Sequence, residues 1–293
     1  MRRLPKFNYF RPESFEEAVR LLREHRGRIR AFAGGTDLFV AMKEKGVTFE
    51  NVLDLKGIRG SDSISRADGT IEIGALASIR SVETSPLIRE MLPFLSEAAG
   101  KLGSVQVRNR ATIGGNICNA SPAAETAPAL IALGAQVEII GEKGPRAAPL
   151  EKFFLGPGRS ILEETELVTK ILLPPLPPNS GGAYLKYGPR RAMDIAVVGV
   201  GCVLTLDSGK KKCLDSRILL GAVAPIPLRA NMAEAAVNGT EVTEREIEEA
   251  GERAKQEARP ITDIRGSAEH RAERVKVFVR RSLREALRVI RAA

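Results

Sequence analysis

The sequence predicts a mixed α+β fold in which two small α/β units precede a C-terminal part built from antiparallel strands and helices. Short strand-like runs and amphipathic helical stretches alternate up to residue 173. Prolines at positions 174, 175, 177 and 178 then interrupt both patterns, because proline continues neither a strand ladder nor a helix. Beyond them the strand patterns come first and the helical patterns follow.

The first unit is predicted to span residues 1–56. Ser14 and Glu17 have the spacing of a capping box, and apolar residues follow on one helical face, so the first helix is expected here. The unit then continues with a strand at residues 28–33, the glycine pair at 34–35, a helical stretch and a strand at 51–55.

The second unit is predicted to span residues 57–176, after a turn at 56–58 and a polar separating run at 59–69. A helix is expected to start at Pro122, because proline is favoured in the first turn of a helix. The predicted elements are a strand at 70–74, a helical stretch at 87–101, a glycine-rich segment at 111–115, a helix at 122–133 and strands at 136–140 and 167–173.

The third unit is predicted to span residues 177–293. Thr243 and Glu246 repeat the capping-box spacing and mark the start of a helix. The predicted elements are strands at 183–187, 194–206 and 213–223, followed by helices near 232–237, 243–258 and 267–290. Strands followed by helices indicate an antiparallel sheet with helices on one side.

Composition excludes several classes of protein. Apolar residues make up 43% of the chain and charged residues 28%, which is typical of a globular protein. No apolar run is long enough to span a bilayer and the N-terminal sequence is polar, so we expect a cytoplasmic protein. The scattered Cys118, Cys202 and Cys213 make no disulfide framework or cluster-binding set, and His25 and His270 lack a second ligand nearby, so no metal site is predicted.

The net charge of +9 allows attraction to nucleic acid, anionic lipid or an acidic partner. Much of this charge lies on the predicted helix at 267–290, which combines an apolar stripe with a basic face. Glu269, Glu273 and Glu285 interrupt the basic face, and no aromatic side chains are interleaved to stack on bases. A solvated helix face is the favoured interpretation, and no nucleic-acid partner is expected. A basic binding protein stays open as an alternative.

The first glycine pair lies at the end of a predicted strand and the start of a predicted helix. Such a turn directs backbone N–H groups toward one point, and glycine lets an anion approach the backbone closely. Gly34 and Gly35 would provide that approach, Thr36 adds a hydroxyl donor, and Asp37 is suited to cap the helix or bond a ligand donor. A plain glycine turn with Thr or Asp capping remains the alternative.

The second segment, residues 111–125, is richer in small polar residues. It contains Thr112, Gly114, Gly115 and Asn116 and ends in the helix expected at Pro122. A tight loop with asparagine in the left-handed conformation is the structural alternative. Neither segment is a Rossmann fingerprint, and the run at 199–201 lies inside an apolar strand pattern and lacks the third glycine.

Taken together, these segments carry a specific resemblance. The motifs at 33–38 and 112–116, in this order and about 75 residues apart, resemble the FAD-binding signature of the medium subunits of molybdenum hydroxylases, the xanthine dehydrogenase and carbon monoxide dehydrogenase family. The motifs at 184–187 and 190–196 are similar to the C-terminal flavoprotein domain of that family. The resemblance runs from about Phe7 to the end. The cysteine-rich insertion of the 4-hydroxybenzoyl-CoA reductase branch is absent from the sequence.

The resemblance implies two FAD-binding subdomains of the vanillyl-alcohol-oxidase (PCMH-like) type and a third domain like the C-terminal domain of the CO dehydrogenase flavoprotein. It implies that the FAD diphosphate and ribityl chain are wrapped, mainly by backbone amides, by Ala31, Phe32, Ala33, Gly34, Gly35, Thr36, Asp37, Leu38, Thr112, Ile113, Gly114, Gly115 and Asn116. Leu102 would pack near the dinucleotide, and Val168 would make a backbone contact, with Leu167 as the neighbouring choice.

Two charged residues also match family positions. Glu125 corresponds to an acidic residue that bonds an adenosine hydroxyl, and Lys186 corresponds to a basic residue near the flavin ring. For Glu125 the alternative is a first-turn carboxylate favoured by the helix dipole. For Lys186 the alternative is the solvent-facing member of an alternating strand.

The resemblance further implies an oxidoreductase subunit with FAD as its cofactor and no catalytic acid or base of its own. The molybdenum cofactor would lie in a large partner subunit and [2Fe-2S] clusters in a small one, in a dimer of heterotrimers. FAD would pass electrons from the clusters to an acceptor such as NAD, oxygen or a quinone. The substrate, whether CO, an aldehyde, a purine or a heteroaromatic compound, stays open. A self-contained flavin oxidoreductase is the alternative enzyme.

Overall fold

The computed structural model describes residues 3–190 and 193–292 of the chain. Within these residues the chain forms three successive units, each with its own main β-sheet. Arg191 and Ala192, which belong to the motif at 190–196, lie outside the described residues. In the part of the chain that is described, no helix is both long enough and apolar enough to cross a membrane.

The first unit is a parallel sheet with the strand order β1-β3-β2. Its elements are β1 (Asn8–Phe10), α1 (Phe15–Glu24), β2 (Ile29–Phe32), α2 (Leu38–Glu44) and β3 (Asn51–Asp54). The Ser14 hydroxyl accepts a hydrogen bond from the Glu17 amide at 3.1 Å, as the capping-box spacing predicts. The three residues of β1 are too few to show alternation, so this strand was not predicted. Because the strands are parallel, the carboxyl ends of β2 and β3 lie at one edge.

The second unit is an antiparallel sheet with the order β4-β5-β10-β6-β7, together with helices that share its core. Its helices are α3 (Ile79–Thr84), α4 (Pro86–Met91), α5 (Pro93–Gly100), α6 (Val105–Arg108), α7 (Ile113–Cys118) and α8 (Thr126–Ala132). Its strands are β4 (Ile64–Ala67), β5 (Thr70–Gly74), β6 (Gln136–Gly141), β7 (Gly144–Pro149), the small pair β8 (Phe154–Gly156) and β9 (Arg159–Ser160), and β10 (Leu167–Leu173).

Three predictions for the second unit are wrong. The run at 59–69 is not a polar separator, because it contains β4, which pairs with β5 through a turn where Asp68 and Gly69 both have positive φ. The helix at 87–101 is two helices, since Pro93 breaks the hydrogen-bond ladder between α4 and α5.

The helix predicted from Pro122 begins instead at Thr126. The carbonyl of Pro122 accepts from the Ala222 amide at 2.8 Å, so it is committed to the third unit and not to a helix. Residues 121–124 form a turn in which the Ala124 amide donates to the Ser121 carbonyl. The segment between the second glycine pair and α8 is therefore a fixed turn that brings Glu125 to the helix start.

The third unit is an antiparallel sheet with the order β11-β12-β13-β14, followed by helices. Its elements are β11 (Ser180–Tyr187), β12 (Val198–Leu206), β13 (Cys213–Gly221), β14 (Leu228–Arg229), α9 (Asn231–Val237), α10 (Glu244–Glu257) and α11 (Ala268–Ala292). One face of the sheet packs on α9, α10 and α11, while Tyr184, Val203 and Leu219 point into the core of the second unit. Both faces are thus covered.

The strand predicted from Asp194 begins at Val198. Asp194 instead folds the preceding loop, because its carboxylate accepts from the Arg190 side chain at 2.7 Å. Within β12, a Cβ added at Gly201 would lie 2.6 Å from the Pro128 carbonyl oxygen. Gly201 is therefore explained by the close approach of α8 to this strand, whereas a Cβ at Gly199 would lie 3.1 Å from the Tyr184 hydroxyl.

Three basic side chains of α11 pair with acidic side chains of α10. Arg284 lies 2.6 Å from Glu244, and Lys276 and Arg280 form ion pairs with Glu252 and Glu248. Arg271 was expected on the solvated face, but its side chain is only 3% exposed because it pairs with Asp263 at the start of the helix. These ion pairs neutralise part of the C-terminal charge within the protein.

Candidate functional site

The first glycine segment is an open turn at the carboxyl edge of the parallel sheet. Gly35 has φ +74°, a conformation that favours glycine. Among the described residues, no protein acceptor receives the backbone N–H groups of residues 34–37. Asp37 stands at the start of α2 but makes no side-chain capping bond, because its own backbone is already helical. Of the two roles expected for Asp37, capping the helix through its carboxylate is therefore wrong, and bonding a ligand donor stays a prediction.

The first segment lies directly against the backbone that leads into the second segment. A Cβ added at Gly34 would overlap the carbonyl oxygen of Arg110 and would lie 2.8 Å from the Cα of Ala111. The two glycine-rich segments, 75 residues apart in sequence, are thus in backbone contact. This contact explains why glycine is needed at position 34.

The second segment is not a loop but the start of the short helix α7. Thr112 is its N-cap, and the Thr112 hydroxyl accepts from the Gly115 amide at 3.1 Å. The amides of Ile113, Gly114 and Asn116 donate to the carbonyls of Ala77, Ala75 and Thr112. All four amides are used inside the protein. They are thus not free donors, contrary to the expectation that backbone amides of both segments would serve a diphosphate.

The packing around α7 explains its glycines. A Cβ at Gly114 would lie 2.6 Å from the Ala75 carbonyl oxygen, so only glycine allows the helix to approach the end of β5. Gly115 faces outward. The left-handed residue in this region is Ala120, with φ +47°, whereas Asn119 has φ −65°. The alternative of an asparagine in a left-handed loop is therefore wrong.

Glu125 and Lys186 form one buried ion pair. The Lys186 ammonium donates to Glu125 Oε1 at 2.9 Å and to the carbonyls of Lys101 and Asp194 at 2.8 and 2.6 Å. The Lys186 side chain is 10% exposed and the Glu125 side chain is 9% exposed. The alternative of a solvent-facing Lys186 is therefore wrong. The pair joins the second unit to the third.

Electrostatics at the pair follow from this burial. Burial raises the pKa of Glu125, and the Lys186 ammonium opposes that rise. Asp37 of the first segment adds a smaller upward influence on the same pKa, which reflects its proximity. Burial also lowers the pKa of the neighbouring Lys101. A charged group leaving or entering this cluster would therefore change the protonation balance of its members.

A cleft of about 410 Å³ opens beside the ion pair. Its lining combines basic, acidic and aromatic side chains with a turn of the third unit: Lys101, Lys186, Tyr187, Gly188, Pro189, Arg190 and Asp194. The Lys101 ammonium donates to the Tyr184 carbonyl at 2.9 Å, which holds it at the cleft wall. The size and the mixed lining suit part of an organic ligand.

The remaining predicted residues lie in more enclosed places. Ala31, Phe32 and Leu38 are half-buried around the first glycine pair. Leu102 is 6% exposed, so the core already covers most of its side chain. Val168 lies in β10 just before a β-bulge. Its side chain packs in the core of the second unit, whereas the Leu167 side chain packs in the core of the first unit. The bulge is the physical reason why sequence could not fix this register.

Asn116 completes a line of contacts along the site. Its Oδ1 accepts from the Thr126 hydroxyl at 2.6 Å, and Thr126 adjoins Glu125. Contacts thus run from Gly34 through the second segment to Lys186. Sequence reasoning missed Lys101, which only its place before Leu102 could have suggested. It also missed Lys56, whose ammonium donates to the Ala33 carbonyl at 3.0 Å across 23 residues.

Comparisons with known proteins identify the family of the chain. A family model described as the FAD binding domain in molybdopterin dehydrogenase matches residues 5–176, and one described as the CO dehydrogenase flavoprotein C-terminal domain matches residues 183–286. The chain is 30% identical over 282 residues to the putative xanthine dehydrogenase FAD-binding subunit of Escherichia coli (strain K12), with 96% of each chain covered.

Two further relatives are of similar closeness. The chain is 33% identical to the 6-hydroxypseudooxynicotine dehydrogenase complex subunit alpha of Paenarthrobacter nicotinovorans, over 97% of this chain and 95% of that one. A carbon monoxide dehydrogenase structure from Hydrogenophaga pseudoflava matches with a TM-score of 0.93 and 34% identity, over 97% and 98% of the two chains. The predicted fold class and family are confirmed. The chain belongs to the family of FAD-binding subunits of molybdenum hydroxylases, and it is an oxidoreductase subunit that carries FAD within a multi-subunit enzyme.

Proposed function

We propose that the chain is the electron-transfer subunit of a cytoplasmic molybdenum hydroxylase, with FAD held along the line of contacts from Gly34 to Lys186. A large subunit with the molybdenum cofactor and a small subunit with [2Fe-2S] clusters are its proposed partners, in a dimer of heterotrimers. The division of the chain at residues 56 and 176 into two FAD-binding subdomains and a flavoprotein domain is part of the proposal. The separate sheets support it.

The observation that carries the proposal is that the amides of residues 34–37 have no protein acceptor within the described part of the chain. Backbone N–H groups in a turn with glycine form a concave donor surface that suits an anion such as a diphosphate. The backbone of Arg110 and Ala111, which leads into the Thr112 cap of α7, closes one side of this turn. The residues present therefore fit the diphosphate of FAD, with the first segment supplying the amide donors and the second supplying shape.

The buried ion pair modifies one role that the resemblance implies. An adenosine hydroxyl and a flavin ring lie at opposite ends of an extended FAD, yet Glu125 and Lys186 are 2.9 Å apart. Lys186 also lines the cleft with Lys101 and Tyr187. We assign both members of the pair to the flavin end, where Glu125 orients Lys186 and Lys186 contributes positive charge.

When bound, FAD supplies the ability to exchange electrons singly with iron–sulfur clusters and in pairs with a final acceptor. The chain's own residues bind and orient it. The amides of residues 34–37 hold negative charge, and the Lys101 and Lys186 ammonium groups make the cleft favourable for electron-rich ligands. In this proposal no side chain of the subunit acts as a catalytic acid or base on the substrate.

Substrate choice is assigned to the partner subunit. Relatives at 30% and 33% identity are named for xanthine and for 6-hydroxypseudooxynicotine, and the CO dehydrogenase structure matches at 34%. Similar identity to proteins named for such different substrates is expected if this subunit does not contact the substrate. We propose no specific substrate or acceptor.

The proposal is tested by replacing Gly35 with valine in the full chain, produced with its partner subunits. The added side chain would lie 2.6 Å from Phe39 at a position with φ +74°, so the turn cannot keep its shape. The flavin absorption of the purified protein should then be lost. Gly156→Val is the matched control, since a Cβ there meets nothing within 4 Å. A colourless wild-type protein that refuses added FAD would contradict the proposal.

The same preparation separates the rival functions. Turnover of a small substrate by this chain alone would select a self-contained flavin oxidoreductase. Tight, salt-sensitive nucleic-acid binding without flavin would select a basic binding protein. The ion pairs between α10 and α11 argue against the second rival, because they neutralise three basic side chains of α11.

A further inference from the structure

Lys56 links the end of β3 to the first glycine segment. It follows Asp54, the last residue of the central strand, and Asp54 pairs in register with Phe32 at the end of β2. The Lys56 ammonium donates to the Ala33 carbonyl at 3.0 Å and to Asp54 Oδ1 at 2.5 Å. It also lies 4.0 Å from the centroid of the Phe32 ring. One side chain thus contacts both residues that lead into Gly34.

Asp54 holds the Lys56 ammonium in place. The Asp54 side chain is 7% exposed, and its other oxygen accepts from the Tyr9 hydroxyl at 2.5 Å. Burial would raise the pKa of Asp54, but the hydrogen bonds from Lys56 and Tyr9 outweigh burial and lower it. The hydrogen bond to Asp54 in turn raises the pKa of Tyr9. The carboxylate is therefore ionised and bonded on both sides at neutral pH.

The turn that Lys56 contacts is held at its far end by α2, because the Phe39 and Ala41 amides donate to the Gly35 and Asp37 carbonyls at 3.1 and 2.9 Å. Among the described residues, no protein acceptor receives the amides of residues 34–37, and the backbone contact of Gly34 with Arg110 is steric. A turn with free amides must be ordered before or during ligand binding, and ordering it beforehand improves affinity. The bond to the Ala33 carbonyl orders the turn at its first residue.

We propose that Lys56 is a positioning residue for FAD, acting through Ala33 and Phe32 without touching the dinucleotide. Tyr9, Asp54 and Lys56 form a fixed chain of hydrogen bonds that holds the glycine turn in its binding shape. The inference rests on the proposed function, because it needs FAD at the amides of residues 34–37. An exposed ion pair on the surface would contribute little to stability. The buried Asp54 and the bond to the backbone distinguish this lysine from such a pair.

The test compares three variants of the FAD-stripped full chain, in complex with its partners. Lys56→Met removes the ammonium and keeps the stem, Lys56→Arg keeps a cationic donor, and Lys143→Met removes one charge from a side chain that is 90% exposed. The FAD dissociation constant is measured from the change in flavin fluorescence, with visible circular dichroism of the bound flavin as a spectroscopic signature. The melting temperature without FAD is recorded in parallel.

We expect Lys56→Met to weaken FAD binding roughly tenfold, the loss of about one charge-assisted hydrogen bond, and to alter the dichroism of the bound flavin. The FAD affinity of Lys56→Arg should lie within about threefold of that of the wild type. On a free-energy scale this loss is less than half of the loss expected for Lys56→Met. Lys143→Met should bind as the wild type does. The melting temperature without FAD should fall in Lys56→Met, because the buried Asp54 loses its cationic partner, and should stay unchanged in Lys143→Met. FAD affinity is therefore measured at a temperature at which every variant is folded.

Unchanged FAD affinity in Lys56→Met would overturn the positioning role while the wild type still binds FAD, so the proposed function would stand. Equal weakening in Lys143→Met would overturn it too, since the effect would then be one of net charge. If the wild type binds no FAD, the proposed function fails and this inference fails with it. If Lys56→Met does not fold, Lys56→Gln, a neutral donor, must show an intermediate loss. Wild-type affinity in that variant would refute the inference.

Discussion

The two glycine-rich segments look alike in sequence but differ in how their backbone is used. The turn at residues 34–37 leaves its amides without protein acceptors in the described part of the chain, and it sits at the open edge of a parallel sheet. The segment at 112–116 commits its amides to a short helix and to the carbonyls of Ala75 and Ala77. The first is built to donate, and the second is built to pack.

Both glycine pairs lie where another group comes close to the backbone, but that group is a different one in each segment. At Gly34 the partner is the Arg110 backbone and, in our proposal, a diphosphate lies beyond it. At Gly114 the partner is the end of β5. Substitutions in the first segment should therefore change FAD affinity, at Gly34 together with stability because the side chain would meet backbone, and substitutions at Gly114 should change mainly stability.

The largest effect is expected for Gly34→Val. Its side chain would overlap the Arg110 carbonyl and separate the two segments, because a backbone atom cannot rotate away as a side chain can. We expect FAD affinity to fall about 100-fold or more, equivalent to roughly 2.7 kcal/mol. Titration of the FAD-stripped protein measures this, with Gly156→Val as the control. A loss of affinity below tenfold would break the comparison.

Gly114→Val should act mainly on folding. The added atoms would press on the Ala75 carbonyl and Cβ, at 2.6 and 2.8 Å, in a closed core. Overpacking of this kind typically costs about 1–3 kcal/mol. The melting temperature of the FAD-stripped protein should fall by several degrees, about 2–4 °C for each kcal/mol in a chain of this size. A variant that melts like the wild type yet loses FAD would reverse the roles of the two segments.

The sequence predicted the architecture because its patterns are local. Capping residues, alternating strands and the proline run each act within a few positions, and the order and spacing of the two glycine motifs identified the family. It predicted wrongly where one residue is committed to a distant partner. The start of α8 moved to Thr126 because the Pro122 carbonyl bonds Ala222, a hundred residues away.

The site was predictable as a set of residues but not as a set of roles. Glu125 and Lys186 were named separately, and their pairing across 61 residues has no local signal. Lys56 has none either, since its bond to Ala33 depends on the parallel pairing of β2 with β3. Spacing cannot report which amides are already bonded, and this property separates the two segments.

Acid should also weaken the support of the second segment. Arg108, just before it, is buried and donates to Glu83 at 2.7 Å and to the Leu102 carbonyl at 2.9 Å. Burial would raise the pKa of Glu83, but the bonds from Arg108 and Arg80 lower it overall. The stabilisation is therefore complete above the ordinary pKa of 4.5 and is lost as the pH falls through the lowered value.

Melting of the FAD-stripped protein between about pH 3 and pH 7, the range in which carboxylates titrate, checks this expectation. Glu83→Gln should melt below the wild type at neutral pH, and the difference should shrink toward pH 3, the acidic end of that range. Glu50→Gln, whose carboxylate is 66% exposed and 3.8 Å from Arg28, is the control and should show little difference throughout. A difference for Glu83→Gln that grows in acid would refute the assignment.

The smallest effect is expected for a substitution at Gly115. Its amide is bonded to the Thr112 hydroxyl, but its face points outward, and an added Cβ would meet only that hydroxyl at 2.9 Å. Gly115→Ala should change stability by less than about 1 kcal/mol, since alanine favours a helix by a similar amount. If FAD lies over this face, its affinity should fall about threefold, or roughly 0.7 kcal/mol, through the lost close approach. Affinity equal to that of the wild type would remove Gly115 from the binding surface and leave the donor role to the first segment alone.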